Sequence, residues 1–418
     1  MDMATDTALT RARQEAHATP LDQIDVSRSD RFAAQTHWPF FDRLRAEDPV
    51  HYLADSDFGP FWSITKWQDV LKVETSHKVF SSFPTIIIGD PEDGFRLPNF
   101  IAADEPWHSQ WRKPVMPGVG GERIAQIEAL IRERVGLILD DLPRNEEFNW
   151  VDRVSVELTT QMLATLFDFP WEDRHLLTYW SDLATSTPMV GAAVMLEEER
   201  RKILFECADY FSKLWREREG KDPTFDFISL MAHHEDTKSL IDEQHKLLGN
   251  LILLIVGGND TTRNSISGGL LALNDFPDQY DKLRADHTLI PNMVSEIIRW
   301  QTPLAHMRRK ALSDFELGGK TIREGDKVVM WYISANRDDD KFEDPYEFDI
   351  TRKNARNHIS FGFGIHRCMG NHVAEMQLRI LWEEIMKRFD RIEVVGEPVR
   401  VTSNFVMGIK ELPVRIPG

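Results

Sequence analysis

The chain has 418 residues, 42% of them hydrophobic and 28% charged, with a formal net charge of −18. This composition suits a large globular core, and the acidic balance excludes a nucleic-acid surface as the expected mode of action. Its two cysteines, Cys207 and Cys368, make no disulfide framework and point to a reducing cytoplasm.

No stretch approaches the ~18 apolar residues of a transmembrane helix; the run Leu251–Val256 is too short. Residues 1–30 are polar, mixed in charge and without the apolar core of a signal peptide. They are expected to be partly disordered. No linker, repeat or low-complexity run divides 31–418, so one large domain is expected there, with no membrane anchor.

Helix and strand signals mix between Asp30 and Asp57 around Pro39 and Pro49. The stretch from Phe83 to Phe100, with Pro84, Pro91 and Pro98, reads as a long irregular segment. A loop of that length in a compact domain is usually functional. Pro106 after Asp104 and Glu105 signals a helix start. His108 and Arg112, four apart, share a face of that helix.

Apolar spacing predicts helices over about 122–141, 152–168 and 196–218. The sequence from Thr185 to Gly191 breaks this run. A longer helix is predicted over 241–274, ending before Pro277. Its centre carries Gly257, Gly258, Asn259, Asp260, Thr261 and Thr262. Each mid-helix glycine costs about 1 kcal/mol relative to alanine. The pair therefore needs a reason, either a kink that opens the hydrogen-bond ladder or a close helix contact.

Glu296 and Arg299 stand at helical pairing distance, and Arg352 follows later. Short strands are expected up to Ser334, with Gly318-Gly319 as a hairpin turn. In Phe361–Gly370, three glycines and Cys368 precede a helix that buries Leu378, Leu381 and Ile385 with Ala374. Glycines at positive φ can aim backbone N–H groups at the sulfur. With the helix dipole, those donors favour thiolate. A lone thiolate suits haem iron better than a structural zinc, which takes about four protein ligands. A buried free cysteine, or zinc held with His366 and His372, are the competing readings.

At Phe361, Gly362, Gly364, Cys368 and Gly370 the chain resembles the cytochrome P450 family, the haem-thiolate monooxygenases. The pattern there is Phe-Gly-x-Gly-x-x-Cys-x-Gly, with one extra residue between Gly364 and Cys368. Three further motifs match in order: His108-x-x-x-Arg112, Gly257-Gly258-x-Asp260-Thr261, and Glu296-x-x-Arg299 completed by Arg352. The resemblance covers about residues 35–415. It implies a mainly α fold with a smaller β portion. Haem b (iron protoporphyrin IX) would lie between the long kinked helix and the cysteine loop.

The resemblance also implies roles. Cys368 would be the iron ligand, in a loop that includes Phe361 and Gly362. Asp260 and Thr261 would relay protons, and Gly257 and Gly258 would leave room for dioxygen. His108, Arg112, Arg309 and His366 would meet the haem propionates, with Arg308 competing for the place of Arg309. The Glu296–Arg299–Arg352 group would support the thiolate loop.

The segments placed at the pocket are apolar: Ile87, Ile88, Leu97, Phe100, Met189, Val190, Leu253, Val256, Leu304, Met307, Phe405, Val406 and Met407, with Gly257 beside them. His306 is the one clearly polar residue within Leu304–Met307. Such a lining favours an aliphatic chain. Leu253–Ser265 and Gly364–Cys368 resemble the bacterial branch that hydroxylates alkanes and fatty acids at the terminal carbon. A terpene or another hydrophobic molecule stays open as substrate, as does a haem-thiolate sensor without turnover. The family implies dioxygen and an acidic ferredoxin with its NAD(P)H reductase as partners. Residues 352–379 carry Arg352, Lys353, Arg356, Arg367 and Arg379 against Glu375, a basic patch where such a ferredoxin is expected to dock.

Overall fold

Apolar residues at three- and four-residue spacing form helices where the sequence predicts them. In a computed structural model, which describes residues 3–91, 95–191 and 196–418, helices occupy Gly121–Asp140, Glu157–Phe167 and Glu197–Glu219. The long helix runs from Gln244 to Asp275. It ends at Phe276, because Pro277 opens the next helix, Pro277–Ala285. It is continuous through Gly257-Gly258. Residues 92–94 of the irregular segment, and 192–195 beyond the break at 185–191, lie outside the described residues.

Among the described residues, the smaller β portion holds a three-stranded sheet, two two-stranded ones and, as its largest piece, a five-stranded sheet. Its spatial order is Val50–Leu53, Phe61–Ile64, Lys327–Met330, Met307–Ala311 and Phe80–Ser81. Phe61–Ile64 and Lys327–Met330 run parallel, with Trp62 opposite Val328. Met307–Ala311 is antiparallel to Lys327–Met330, with Arg309 opposite Val328. The expected hairpin at Gly318-Gly319 is present; both glycines have positive φ, and Phe315–Leu317 pairs with Lys320–Ile322.

Within the polar N-terminal segment a helix spans Met3–Ala18. Ala12 and Ala16 are buried against a cluster that includes Phe40, Phe41, Leu44 and Trp331. Small residues four apart let this helix lie close on Trp38–Glu47, which composition alone does not reveal.

The helix Ile290–Gln301 supports the cysteine loop through a buried ion-pair group. Arg299 meets Glu296 at 2.7 Å and Arg352 meets the same carboxylate at 3.1 Å. Arg299 also donates to the carbonyl of Asn336 at 2.8 Å. The Asn336 side chain then takes the N–H of Ile359 at 2.8 Å and donates to Ser360. Removing one partner of such a group costs about 3–5 kcal/mol, because a charge is left buried alone. The chain leading into Phe361 is thus fixed from below.

Candidate active site

Gly362 and Gly364 take φ of 64° and 66° in the cysteine loop. A Cβ on Gly364 would sit 2.7 Å from the carbonyl oxygen of Glu74, so only glycine fits. The Cys368 N–H closes the loop onto the Phe361 carbonyl at 2.8 Å. The helix Asn371–Arg388 starts three residues after the cysteine, with Gly370 as its cap. Leu378, Leu381 and Ile385 are buried on it.

Backbone N–H groups of Gly370 and Asn371 face the Cys368 sulfur, and Arg112 and Arg367 add positive charge. Burial nevertheless dominates and pushes the thiol above its ordinary range. A bound metal cation would favour the thiolate at this sulfur. Cys368 keeps accessible surface although protein closes around it, which is the signature of a wall of an internal space.

The long helix has an opening of its own. Gly257 is exposed between Ile255, Asn259 and Asp260, which are buried, and a Cβ there would meet nothing within 4 Å. Gly258 differs. Its Cβ would lie 2.7 Å from Leu163, so Gly258 is a contact glycine between helices rather than room for oxygen. Thr261 lies one turn on and donates to the Gly257 carbonyl at 2.9 Å. Asp260 is fully buried and points towards the helix His175–Thr185. Arg263 lies 2.6 Å from its carboxylate and bridges to Asp182 at 2.7 Å. Burial holds the Asp260 carboxyl above the usual range, while Arg263 pulls it back.

Cations and imidazoles gather at the loop. His108 reaches the Ile365 carbonyl at 3.0 Å and the Phe100 carbonyl at 2.8 Å. Its ring stands edge-on to His366, 4.2 Å between centroids. Arg112 donates to the Arg367 carbonyl. His366 shares a hydrogen with Ser82 through Nε2 at 2.9 Å, while its buried Nδ1 has no partner. Burial and the Arg309 charge push its pKa down to about 2, so it acts as a neutral ring.

Alternation along the strand separates the two arginines that competed. Arg309 pairs with Glu74 beside Gly362 at 2.9 Å. Arg308 is spent on Asp90 at 2.6 Å and on the Ile88 and Gly89 carbonyls. A group with a metal for one sulfur and two carboxylates for Arg112, Arg309 and the unpartnered His366 Nδ1 fits this donor set. Haem is such a group. Cys368 would hold its iron, and Arg112, Arg309 and His366 its propionate side; both His108 ring nitrogens are already set on the Phe100 and Ile365 carbonyls, so the expected His108 contact is not offered.

Accessible surface also sorts the predicted pocket residues. Ile87, Leu97, Met189, Leu253, Val256 and Leu304 keep partial exposure. Ile88 and Val190 are packed to 0% and 1% and line nothing. Ile88 and Met407 belong to the cluster under the N-terminal helix. Phe100, Met307, Phe405 and Val406 are nearly buried. Met189 borders a cleft of about 420 Å³ with Phe58, Phe95 and Arg200. His306 is unavailable to a ligand: its Nε2 accepts the Ile88 N–H at 3.1 Å, and its Nδ1 meets the Asn404 carbonyl at 3.0 Å.

The basic stretch is thinner than its composition. Arg352 is consumed by Glu296, and Arg379 by Glu128 and Glu383 at 2.8 and 3.0 Å. Lys353, Arg356 and Arg367 are exposed. Glu74 was missed altogether. Its signal is a charge among the buried positions Val70 and Val73 of an amphipathic helix, Trp67–Thr75.

An accessible lone thiol at a helix start, with cations gathered at its loop, is the donor set of a haem-thiolate site. The sequence model described as Cytochrome P450 matches residues 145–415. Linalool 8-monooxygenase of Pseudomonas putida is 34% identical over 408 residues, covering 94% of this chain and 99% of that protein. A methyl-branched lipid omega-hydroxylase of Mycobacterium bovis is 32% identical, covering 90% of each chain. Among solved structures, cytochrome P450-153 from Novosphingobium aromaticivorans superposes with a TM-score of 0.89 at 46% identity, covering 94% of this chain and 99% of that one. The chain belongs to the cytochrome P450 family, and it is a haem-thiolate monooxygenase that uses haem b, dioxygen and a hydrophobic substrate. Among the described residues, no helix is long and apolar enough to cross a membrane.

Proposed function

We propose that this monooxygenase hydroxylates the terminal carbon of medium- or long-chain alkanes or fatty acids in the cytoplasm, with electrons from an acidic ferredoxin and its NAD(P)H reductase. The observation that carries this reading is the state of His306. The only clearly polar side chain of the Leu304–Met307 lining is fully committed to the Ile88 N–H and the Asn404 carbonyl. The partly exposed Leu253, Val256, Leu304 and Ile87 offer burial and no hydrogen bond. Each CH₂ of an aliphatic chain gains about 0.8 kcal/mol there. A polyhydroxylated molecule would leave its own groups unpaired. The lipid omega-hydroxylase among the relatives and the 46% identity to a P450-153 structure support the same reading.

Bound haem supplies the oxidising power for inserting one oxygen atom into a C–H bond. The chain supplies the rest. Cys368 would hold the haem iron as thiolate. Thr261 holds a hydroxyl proton at the Gly257 opening, and Asp260, with Arg263, passes protons from the Asp182 side. The exposed Lys353, Arg356 and Arg367 offer an acidic ferredoxin its docking charge.

A second reading is favoured by one observation, the 34% identity to a linalool 8-monooxygenase: the substrate is a terpene. Titration of the ferric protein with alkanes, fatty acids, alcohols and a terpene, followed by the visible spectrum, separates the two. Aliphatic chains should shift the spectrum at lower concentration than the terpene. The reverse order would favour the second reading.

A further inference from the structure

Glu74 is a carboxylate 2% exposed, set behind the cysteine loop. Its Oε2 lies 2.9 Å from an Nη atom of Arg309, and its Oε1 accepts the Tyr332 hydroxyl. A Cβ on Gly362 would stand 3.4 Å from Oε1 and 3.1 Å from the Tyr332 oxygen. The Glu74 carbonyl lies against Gly364. One acidic residue thus touches two loop glycines and one of the two guanidinium groups at the haem edge.

A buried carboxylate without partners is costly. Here Arg309 and Tyr332 satisfy it, which also means that Arg309 does not meet the haem as a free cation. Its other Nη is held by the Arg308 carbonyl at 2.9 Å. The guanidinium is therefore locked in place and half neutralised before any propionate reaches it. The site holds two guanidinium charges, Arg112 and Arg309, offset by one resident carboxylate.

We propose that Glu74 is a positioning residue of the haem site: it fixes Arg309 beside the loop, and its charge holds the ferric–ferrous midpoint potential below the value that Arg112 and Arg309 alone would set. A fixed negative charge favours the ferric state, which carries one more positive charge than the ferrous state. The low dielectric of the interior keeps that preference from being screened.

Spectroelectrochemical titration of the substrate-free holoenzyme tests this. Glu74→Gln keeps the shape and removes the charge. Its midpoint should move positive, shifting the ferrous-to-ferric ratio several-fold at a fixed potential. Glu74→Asp keeps the charge and should stay nearer the wild-type value than Glu74→Gln. Loss of melting temperature in Glu74→Gln with an unmoved midpoint would mean a purely structural role and overturns the proposal. If Glu74→Gln yields no haem-loaded protein, Tyr332→Phe decides. Losing the phenol donor strengthens the carboxylate's field, so its midpoint should fall; a midpoint unchanged or raised overturns the proposal.

Discussion

Thr261 donates its hydroxyl to the Gly257 carbonyl at 2.9 Å, and Gly257 has nothing within 4 Å where a side chain would stand. The hydroxyl is thus parked at the edge of an open stretch in the middle of the long helix. Replacing it by alanine should uncouple the enzyme. In Thr261→Ala, NAD(P)H consumption continues while hydrogen peroxide per NAD(P)H rises several-fold and product falls in proportion. Asp260→Asn should instead slow turnover by on the order of 10²-fold, the scale of a lost proton-transfer group. Unchanged coupling in the first variant, or unchanged turnover in the second, would remove that residue from proton delivery.

The two neighbouring glycines should behave differently. Gly258→Ala drives a methyl into Leu163, which is 0% exposed. Overpacking of this kind costs about 1–3 kcal/mol. Gly257→Ala meets no protein atom and gains about 1 kcal/mol of helix propensity. Thermal unfolding should therefore place Gly258→Ala below Gly257→Ala. Gly257→Ala should change the substrate titration, because it fills the open space.

His306 makes the fold acid-sensitive. Burial, helped by the nearby Arg308 charge, lowers its pKa from 6.5 to about 3. The unfolded chain then binds a proton in this window that the native state does not. Stability is full above the unfolded value and is lost as pH falls towards the folded one, by about 1.4 kcal/mol per pH unit for one proton. Protonation at Nε2 would also break the bond from the Ile88 N–H. His306→Asn should lose less melting temperature than the wild type between about pH 8 and about pH 5. Equal losses would show that His306 takes no part.

Electron delivery can be tested at the exposed cations. Charge reversal of Arg356 and Arg367 together should slow the first electron from an acidic ferredoxin by roughly ten-fold or more at low salt and flatten its salt dependence. Substrate binding should not change. Equally fast reduction of the double variant would place docking elsewhere.

The long helix, the cysteine loop and the Glu296 group were legible because each breaks a local rule: glycines in mid-helix, a lone cysteine before a helix, a charged pair in an apolar helix. The N-terminal helix was not, because its burial rests on Ala12 and Ala16, which carry little hydrophobic signal. The separate duties of Gly257 and Gly258 depend on what stands opposite each, and sequence does not contain Leu163's position. Pocket lining was over-assigned for the same reason. Ile88 and Leu304 look alike as residues, yet one is packed under the N-terminal segment and the other keeps an open face. Glu74 acquires its meaning only when Arg309, over two hundred residues later, is brought against it.

The central claim concerns where the oxygen atom goes. The purified enzyme, reconstituted with a ferredoxin and its reductase, is given a medium-chain alkane and the corresponding fatty acid. The position of the new hydroxyl group is then read by mass spectrometry of the separated products. The account predicts the terminal alcohol and the omega-hydroxy acid as the main products. A majority of subterminal alcohols, or turnover of a terpene with neither aliphatic substrate oxidised, would contradict it.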